Sequence, residues 1–596
     1  MSGASRADRA RSELGQGPRR TSPQRTALRA APDEPAPAPP VRAVPDPFGD
    51  ADPAGLLPAY ARVVTALARD PQRVVPAVLD HVRDSGAAVT ASVLRALGQD
   101  VPGPVAAEKG DRRYADPAWR RSPAYWLLRQ QHGLLERLVL RLVDSADVDE
   151  CDRRKARFFV RQLVSASAPT NFLLTNPAAL KAAYESGGRS LLDGARNFLR
   201  DRFENQGRPR QVVPGALQVA RDLAVTPGKV VFRNGLMELL QYAPQTETVH
   251  QVPLLLSPPW INKYYLLDLA PDRSLVEWAV KQGHTVFVIS YRNPDTTMSG
   301  VSLDDYLVSG PQAALDVIED ITGSSQVDVL GLCLGGTLTA ALVTYLAAVG
   351  DDRVRTVTLL NTLLDFSEPG DLGIFTDEQT VSRLEQQMQR EGYLSGESMR
   401  GTFDVLRADD LLWSYAVSGW LMGQEPKTFD ILAWNSDSTR MPAGMHSFYL
   451  RSCYLRNELA QGEMELAGQR LDLGTIRQDT YVVAAEQDHI APWTSVYRGA
   501  RMLPARVRFV LSDAGHVAGV VNPPGGSARF RVSDTWPLPE DPQAWLATST
   551  EHRRSWWEDW SQWLADRSDE RTAPPALGSD RYPVLEDAPG TYARGR

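Results

Sequence analysis

The run Gly331-Leu332-Cys333-Leu334-Gly335 sets a thiol between two glycines, directly after the apolar stretch Val327-Asp328-Val329-Leu330 and before a segment compatible with a helix. That spacing, in that context, is what a sharp strand-to-helix turn needs in order to present a nucleophile. Glycine is required because the turn strains its central residue and brings strand and helix too close for larger side chains. A thiol at the start of a helix is also favoured as thiolate. The chemistry is covalent acyl transfer. Exchange between a thiol and a thioester costs little free energy, and passing the acyl group on to an alcohol is downhill. Cysteine, rather than serine, therefore keeps the acyl group activated on the protein. The plainer alternative is a buried cysteine beside a tight turn, since free cysteine is among the most buried residue types.

A nucleophile of this kind needs a base, and the base an orienting carboxylate. Both are present downstream. Asp488 lies in Glu486-Gln487-Asp488-His489, after the β-type run Tyr481 to Ala485, and His516 lies in Ser512-Asp513-Ala514-Gly515-His516, after Val507 to Leu511. Of the eight histidines, His516 is preferred as base because Gly515 leaves its approach open. His489 competes, but its adjacency to Asp488 makes a hydrogen bond to that carboxylate awkward. Asp513 and Glu486 are alternative orienting carboxylates. Two backbone amides must face the oxyanion. One is that of Leu334, after the nucleophile; the other comes from Ser257-Pro258-Pro259-Trp260-Ile261-Asn262, which follows the apolar run Val252 to Leu256. The prolines carry no N–H, which leaves Trp260 or Ile261, with a plain turn as the alternative.

These residues need a frame. Short β-rich runs at Val230 to Phe232, Val252 to Leu256, Val286 to Ile289, Val327 to Leu330, Val354 to Leu360, Tyr481 to Ala485 and Val507 to Leu511 are separated by segments able to form helices. Such alternation implies a parallel sheet with helical crossovers, and the order nucleophile, acid, histidine is that of the α/β-hydrolase fold. The expected class is α/β, with the catalytic domain over residues 226–596 and a cap inserted at about 365–470, where the strand rhythm is lost. Residues 51–225 carry apolar residues at helical spacing, as in Leu127, Leu128, Leu134, Leu135 and Leu138, and read as a helical N-terminal domain. Residues 1–50, rich in Pro, Arg and Ala, read as a disordered tail. From about 570 the chain is again rich in Pro, Asp and Gly.

A chain of 596 residues, 43% hydrophobic and 23% charged, is long enough for a large core and two or three folded units. The net charge of -8, with Lys and Arg scattered, leaves no footprint for nucleic acid. Three cysteines, Cys151, Cys333 and Cys453, are too few and too far apart for a disulfide framework or a metal site, and fit a reducing compartment. The N-terminus lacks the apolar core of a secretory signal, while its arginines leave a transit peptide open. Val329 to Gly350 is uncharged and long enough to mimic a membrane span. Its adjacent glycines divide it into strand, turn and buried helix, so no transmembrane segment is expected.

Gly331-Leu332-Cys333-Leu334-Gly335-Gly336 resembles the lipase-box-like motif of polyhydroxyalkanoate synthases. Further blocks are similar to that family: Pro169-Thr170-Asn171-Phe172 with Thr175-Asn176-Pro177, the run Pro258 to Tyr265, Arg292-Asn293-Pro294-Asp295, Trp434 to Arg440, Gly515 to Gly519 with Asn522-Pro523-Pro524, and Trp556-Trp557. The likeness runs from about residue 110 to the C-terminus. It implies catalytic roles for Cys333, Asp488 and His516, with polymerisation of 3-hydroxyacyl-CoA thioesters. Coenzyme A would be carried in by the substrate and released, with no resident cofactor and no metal. It also implies a homodimer in the cytoplasm at the surface of polyester granules, with granule proteins as further partners. Trp260 in its Pro-Pro-Trp block and Cys-Leu-Gly-Gly at the turn look more like the class I enzymes, which favour short-chain monomers such as (R)-3-hydroxybutyryl-CoA. Tyr291 departs from the family, where tryptophan is common. Arg292 and Arg440 either meet coenzyme A phosphates or brace loops, and Cys453 is either a second acyl carrier or a packed structural cysteine. The rival readings are a cysteine-dependent thioesterase of the same fold and a noncatalytic granule scaffold.

Overall fold

Aliphatic runs without polar alternation become strands buried on both faces, as parallel sheets require. In the computed structural model, which describes residues 55–106, 111–568 and 570–595, the central strands are of this kind, and shorter, partly exposed strands join them at the edges of one eleven-stranded sheet. The tail expected at 1–50 lies outside the described residues. The strands are β1 (Gly228–Arg233), β2 (Met237–Tyr242), β3 (Leu254–Ser257), β4 (Val286–Tyr291), β5 (Val327–Leu332), β6 (Val354–Leu360), β7 (Asp479–Ala485), β8 (Val507–Ser512), β9 (Phe530–Val532), β10 (Thr550–His552) and β11 (Glu586–Asp587). Their order is β10-β9-β8-β7-β6-β5-β3-β4-β2-β1-β11. Strands β3 to β8 run parallel, flanked by antiparallel partners on both sides. This is the α/β-hydrolase fold.

Alternate residues of the central strands feed two cores, one on each face; Val329 belongs to one and Leu330 to the other. A helix rich in tryptophan, Trp556–Ala565, belongs to the second core: Trp556, Trp557 and Trp560 are all but fully buried. Its start is fixed by a capping box between Ser555 and Glu558.

Helices α1 (Leu56–Arg69), α2 (Val74–Ala96), α3 (Pro123–Ser145), α4 (Glu150–Ala166) and α5 (Arg189–Glu204) precede the sheet. Between β6 and β7 the chain leaves the sheet and forms the inserted cap, which the N-terminal helices meet directly. Lys155 pairs with Asp377 at 2.6 Å, Arg113 pairs with Asp409 at 3.0 Å, and the Trp420 indole donates to Asp201 at 2.9 Å. The described residues cluster as one compact unit.

Two features escape the sequence pattern. Strand β2, Met-Glu-Leu-Leu-Gln-Tyr, has no β-branched residue, yet all of it is buried. Its Glu238 is tolerated because Arg233 and the amides of Thr591 and Tyr592 satisfy the carboxylate. Those two amides come from the polar end of the chain. There, β11 pairs with β1, Arg571–Thr572 pairs with Val249–His250, and the Tyr592 hydroxyl donates to the Asn234 carbonyl at 2.7 Å. Main-chain pairing needs no apolar side chains, so composition conceals this strap. Among the described residues no helix is long and apolar enough to cross a membrane. The stretch from Val329 to Gly350 is the end of β5, a turn at Cys333, and helix α6 (Leu334–Val349).

Candidate active site

Cys333 sits between β5 and α6 with φ 51° and ψ -118°, a conformation costly for any residue with a side chain. It is held there from both sides. Its N–H donates to the Leu360 carbonyl at 2.8 Å, and its own carbonyl accepts from Gly336 at 2.9 Å and Thr337 at 3.1 Å. The glycines are demanded by close approach: a Cβ on Gly335 would meet the Ser257 and Pro258 carbonyls, and one on Gly336 the Thr362 hydroxyl. Because the obstacles at Gly335 are backbone atoms, Gly335→Ala is expected to cost about 1–3 kcal/mol through overpacking. Gly86→Ala, inside α2 with nothing within 4 Å, is expected instead to stabilise by about 0.5–1 kcal/mol. Thermal midpoints of the two variants check the contrast; equal shifts would refute it.

Asp488 follows β7 and His516 follows β8, and the two loops are tied together. Glu486 donates its N–H to the Ser512 carbonyl at 2.8 Å and Gln487 to that of Ala514 at 3.0 Å. His516 Nδ1 donates to Asp488 Oδ2 at 2.6 Å, while the other carboxylate oxygen accepts from the amides of Ile490 at 2.8 Å and Ala491 at 2.9 Å. The tryptophan helix pins the histidine loop from below, with the Trp556 and Trp557 indoles donating to the Gly519 and Val520 carbonyls at 2.7 and 3.0 Å. Asn361, at φ 46°, donates to the His516 carbonyl at 2.6 Å. The far side of the imidazole faces the Cys333 thiol. Burial pulls the His516 pKa down, but the Asp488 carboxylate and Cys333 outweigh it and hold the ring well above the ordinary 6.5. Cys333, Asp488 and His516 thus meet at one place.

The competing residues are engaged differently, although His489 lines the same cavity. The Asp488 carboxylate is engaged by His516 and two amides, and the His489 ring keeps a buried Nδ1 without a partner. Asp513 pairs with Arg529 at 3.0 Å, and Glu486 is exposed. Arg292 pairs with Asp295, and Arg440 holds the same loop through Asn293 and Pro294 while lying over the Tyr393 ring at 4.8 Å. Both brace loops. Cys453 is 1% exposed, and burial pushes its thiol pKa up.

Above the three residues lies a cavity of about 500 Å³, whose walls include Leu372, Phe375, Phe403 and Tyr449 from the cap. Leu334 and Ile261 reach its wall, and as the first residue of α6 Leu334 has an N–H without a partner inside the helix. The Trp260 side chain is 3% exposed and packs against Tyr306, Tyr291 and Tyr449. The 434–440 block latches the cap to the loop after β3. The Trp434 indole donates to the Lys263 carbonyl at 2.8 Å, the Thr439 hydroxyl to that of Trp260 at 3.0 Å, and the Tyr265 hydroxyl to Asp437 at 2.8 Å. Neither this latch nor Asn361 was evident from the sequence. An Asn directly after a strand, a residue type that tolerates positive φ, was the one available signal. Among the described residues no group of three His, Cys, Asp or Glu side chains is placed to hold a metal ion.

The sequence is similar to those of known proteins. The family pattern described as "Poly-beta-hydroxybutyrate polymerase (PhaC) N-terminus" matches residues 110–279, and that described as "alpha/beta hydrolase fold" matches 259–523. A poly(3-hydroxyalkanoate) polymerase of Methylorubrum extorquens is 43% identical over 89% of this chain and 89% of its own. The poly(3-hydroxyalkanoate) polymerase subunit PhaC of Cupriavidus necator is 43% identical over 82% and 83%. Poly(3-hydroxyalkanoate) polymerase 1 of Ectopseudomonas oleovorans is 39% identical over 83% and 88%. Identity of that degree, sustained through both the helical region and the sheet, means that this chain belongs to the poly(3-hydroxyalkanoate) polymerase family.

Proposed function

We propose that the protein is an acyltransferase that polymerises 3-hydroxyacyl-CoA thioesters into polyester and releases coenzyme A, with Cys333 as covalent carrier. The observation that carries this reading is the strained Cys333 turn facing an imidazole whose far nitrogen is held by Asp488 at 2.6 Å. His516 takes the thiol proton, and the sulfur attacks the thioester carbonyl. The oxyanion lies against the Leu334 amide and that of Trp260 or Ile261. The bond to coenzyme A sulfur breaks, and the leaving thiolate takes the proton from His516. His516, oriented by Asp488, then deprotonates a 3-hydroxyl group, whose oxygen attacks the acyl thioester. The bond to Cys333 breaks, the proton returns to its sulfur, and the chain is one ester longer. The apolar cap over the cavity favours an alcohol over water as acceptor.

Short-chain monomers such as (R)-3-hydroxybutyryl-CoA are the expected substrates, by likeness to class I enzymes. Coenzyme A comes and goes with the substrate, so the reaction needs no resident cofactor. The same likeness supports a cytoplasmic homodimer at the surface of polyester granules.

Purified protein mixed with 3-hydroxybutyryl-CoA should yield both free coenzyme A and solvent-extractable polyester. Coenzyme A with only free acid would make it a thioesterase. No release of either product would leave a scaffold or a different substrate.

A further inference from the structure

Buried histidines nearly always find a hydrogen-bond partner, because an unpaired polar group costs about 1–3 kcal/mol. His446, in the cap helix Ala443–Tyr449, is an exception. It is 4% exposed, its Nδ1 is buried without a partner, and its ring makes no hydrogen bond among the described residues. It is also part of the wall of the cavity that holds Cys333, beside Met441, Tyr449 and Leu450. Of the other histidines with an unpartnered ring nitrogen, His489 lines the same cavity but is only partly buried, and His284 is packed between His250 and Trp560 on the opposite core, where it fills space.

Burial lowers the His446 pKa to about 4, so at neutral pH the ring is uncharged and offers one N–H donor and one lone pair. Its helix lines the same cavity as the nucleophile. Tyr449, one turn further along the same helix, has a phenol kept neutral mainly by burial, then by Tyr454 and Cys453, and least by Cys333. An acyl group mounted on Cys333 enters this cavity, whose cap side is mostly apolar. Beyond the thioester, a short 3-hydroxyacyl group carries a single polar atom, the hydroxyl oxygen, which can both donate and accept.

We propose that His446 is a specificity-determining residue that receives the 3-hydroxyl group of the acyl chain on Cys333. This rests on the polymerase reading and gives the cap a part in choosing hydroxylated over plain acyl groups. A hydroxyl that pairs with the ring removes the cost of burying it, whereas an acyl group of equal length without the hydroxyl leaves that cost in place.

The test is the first acylation event, read as coenzyme A released in a single turnover from 3-hydroxybutyryl-CoA and, separately, from butyryl-CoA. His446→Phe and His446→Met, two apolar replacements, should lower the preference for the hydroxylated substrate by about 10–100-fold, one buried hydrogen bond's worth. They should do so by slowing that substrate alone. His446→Gln, which keeps a donor and an acceptor, should retain most of the preference. If one replacement fails to fold, the other two still report. An unchanged ratio, or equal slowing of both substrates, overturns the role of His446 and leaves the polymerase reading intact. Wild-type protein that releases coenzyme A without making polymer removes the polymerase reading, while the ratio still decides His446. Wild-type protein silent with both substrates overturns both.

Discussion

Cys333→Ala is expected to make no extractable polyester from 3-hydroxybutyryl-CoA and to release coenzyme A about 10⁴-fold more slowly than the wild type, or slower still. Alanine keeps the Cβ, so the strain at φ 51° and the bonds that hold the turn are unchanged. The melting temperature should therefore hardly move. What disappears is the sulfur. In enzymes that merely hydrolyse, a lost nucleophile leaves residual catalysis from the oxyanion site and from binding. Here such residual attack by water frees an acid rather than lengthening a chain. Coenzyme A release and polymer formation should consequently separate, the first surviving as a trace and the second vanishing. A variant that still builds polymer at a measurable fraction of the wild-type rate would rule out the covalent carrier.

Asp488→Asn should lower activity by about 10²–10⁴-fold, because an amide neither fixes the imidazole tautomer nor stabilises the imidazolium. The substitution is nearly isosteric, and an Asn oxygen can still accept from the Ile490 and Ala491 amides that now hold Asp488. The lost activity should therefore not reflect a lost fold. It also has a pH signature. In the wild type the His516 pKa is raised above its ordinary 6.5. A raised value contributes stability that is fully present below the unfolded value and is lost as pH rises through the folded one. Removing the carboxylate removes that contribution. The gap in melting temperature between wild type and variant should be widest on the acid side of neutrality and close as pH climbs through the folded value of His516. A gap independent of pH would refute the pairing energetics.

The parts of the fold that could be read in advance are those made by side-chain chemistry alone. Strands β3 to β8 are aliphatic runs, and only a buried parallel sheet accommodates them. The glycines around Cys333 are explained by clashes at each position, and Cys333, Asp488 and His516 come together from loops at the same ends of parallel strands. What stayed hidden depends on partners distant in sequence. Strand β2, without a β-branched residue, shows no strand pattern, and its Glu238 is accommodated only by Arg233 and the Thr591 and Tyr592 amides. Strand β11 is too short and polar to show a pattern. Trp434 to Arg440 was visible as a family-like block, but its work as a latch depends on carbonyls of the loop after β3. Arg292 and Arg440 left two readings open, since a guanidinium that braces a loop and one that meets a phosphate have the same local sequence.

The chain order has a further consequence during synthesis. Cys333 leaves the ribosome long before Asp488 and His516, with the whole cap between them, and the tryptophans that pin the histidine loop follow later still. A nascent chain therefore carries its thiol for many seconds without a base. On the mechanism proposed above, acyl loading would wait for the helix at Trp556–Ala565 to dock, because that helix holds the loop of the base.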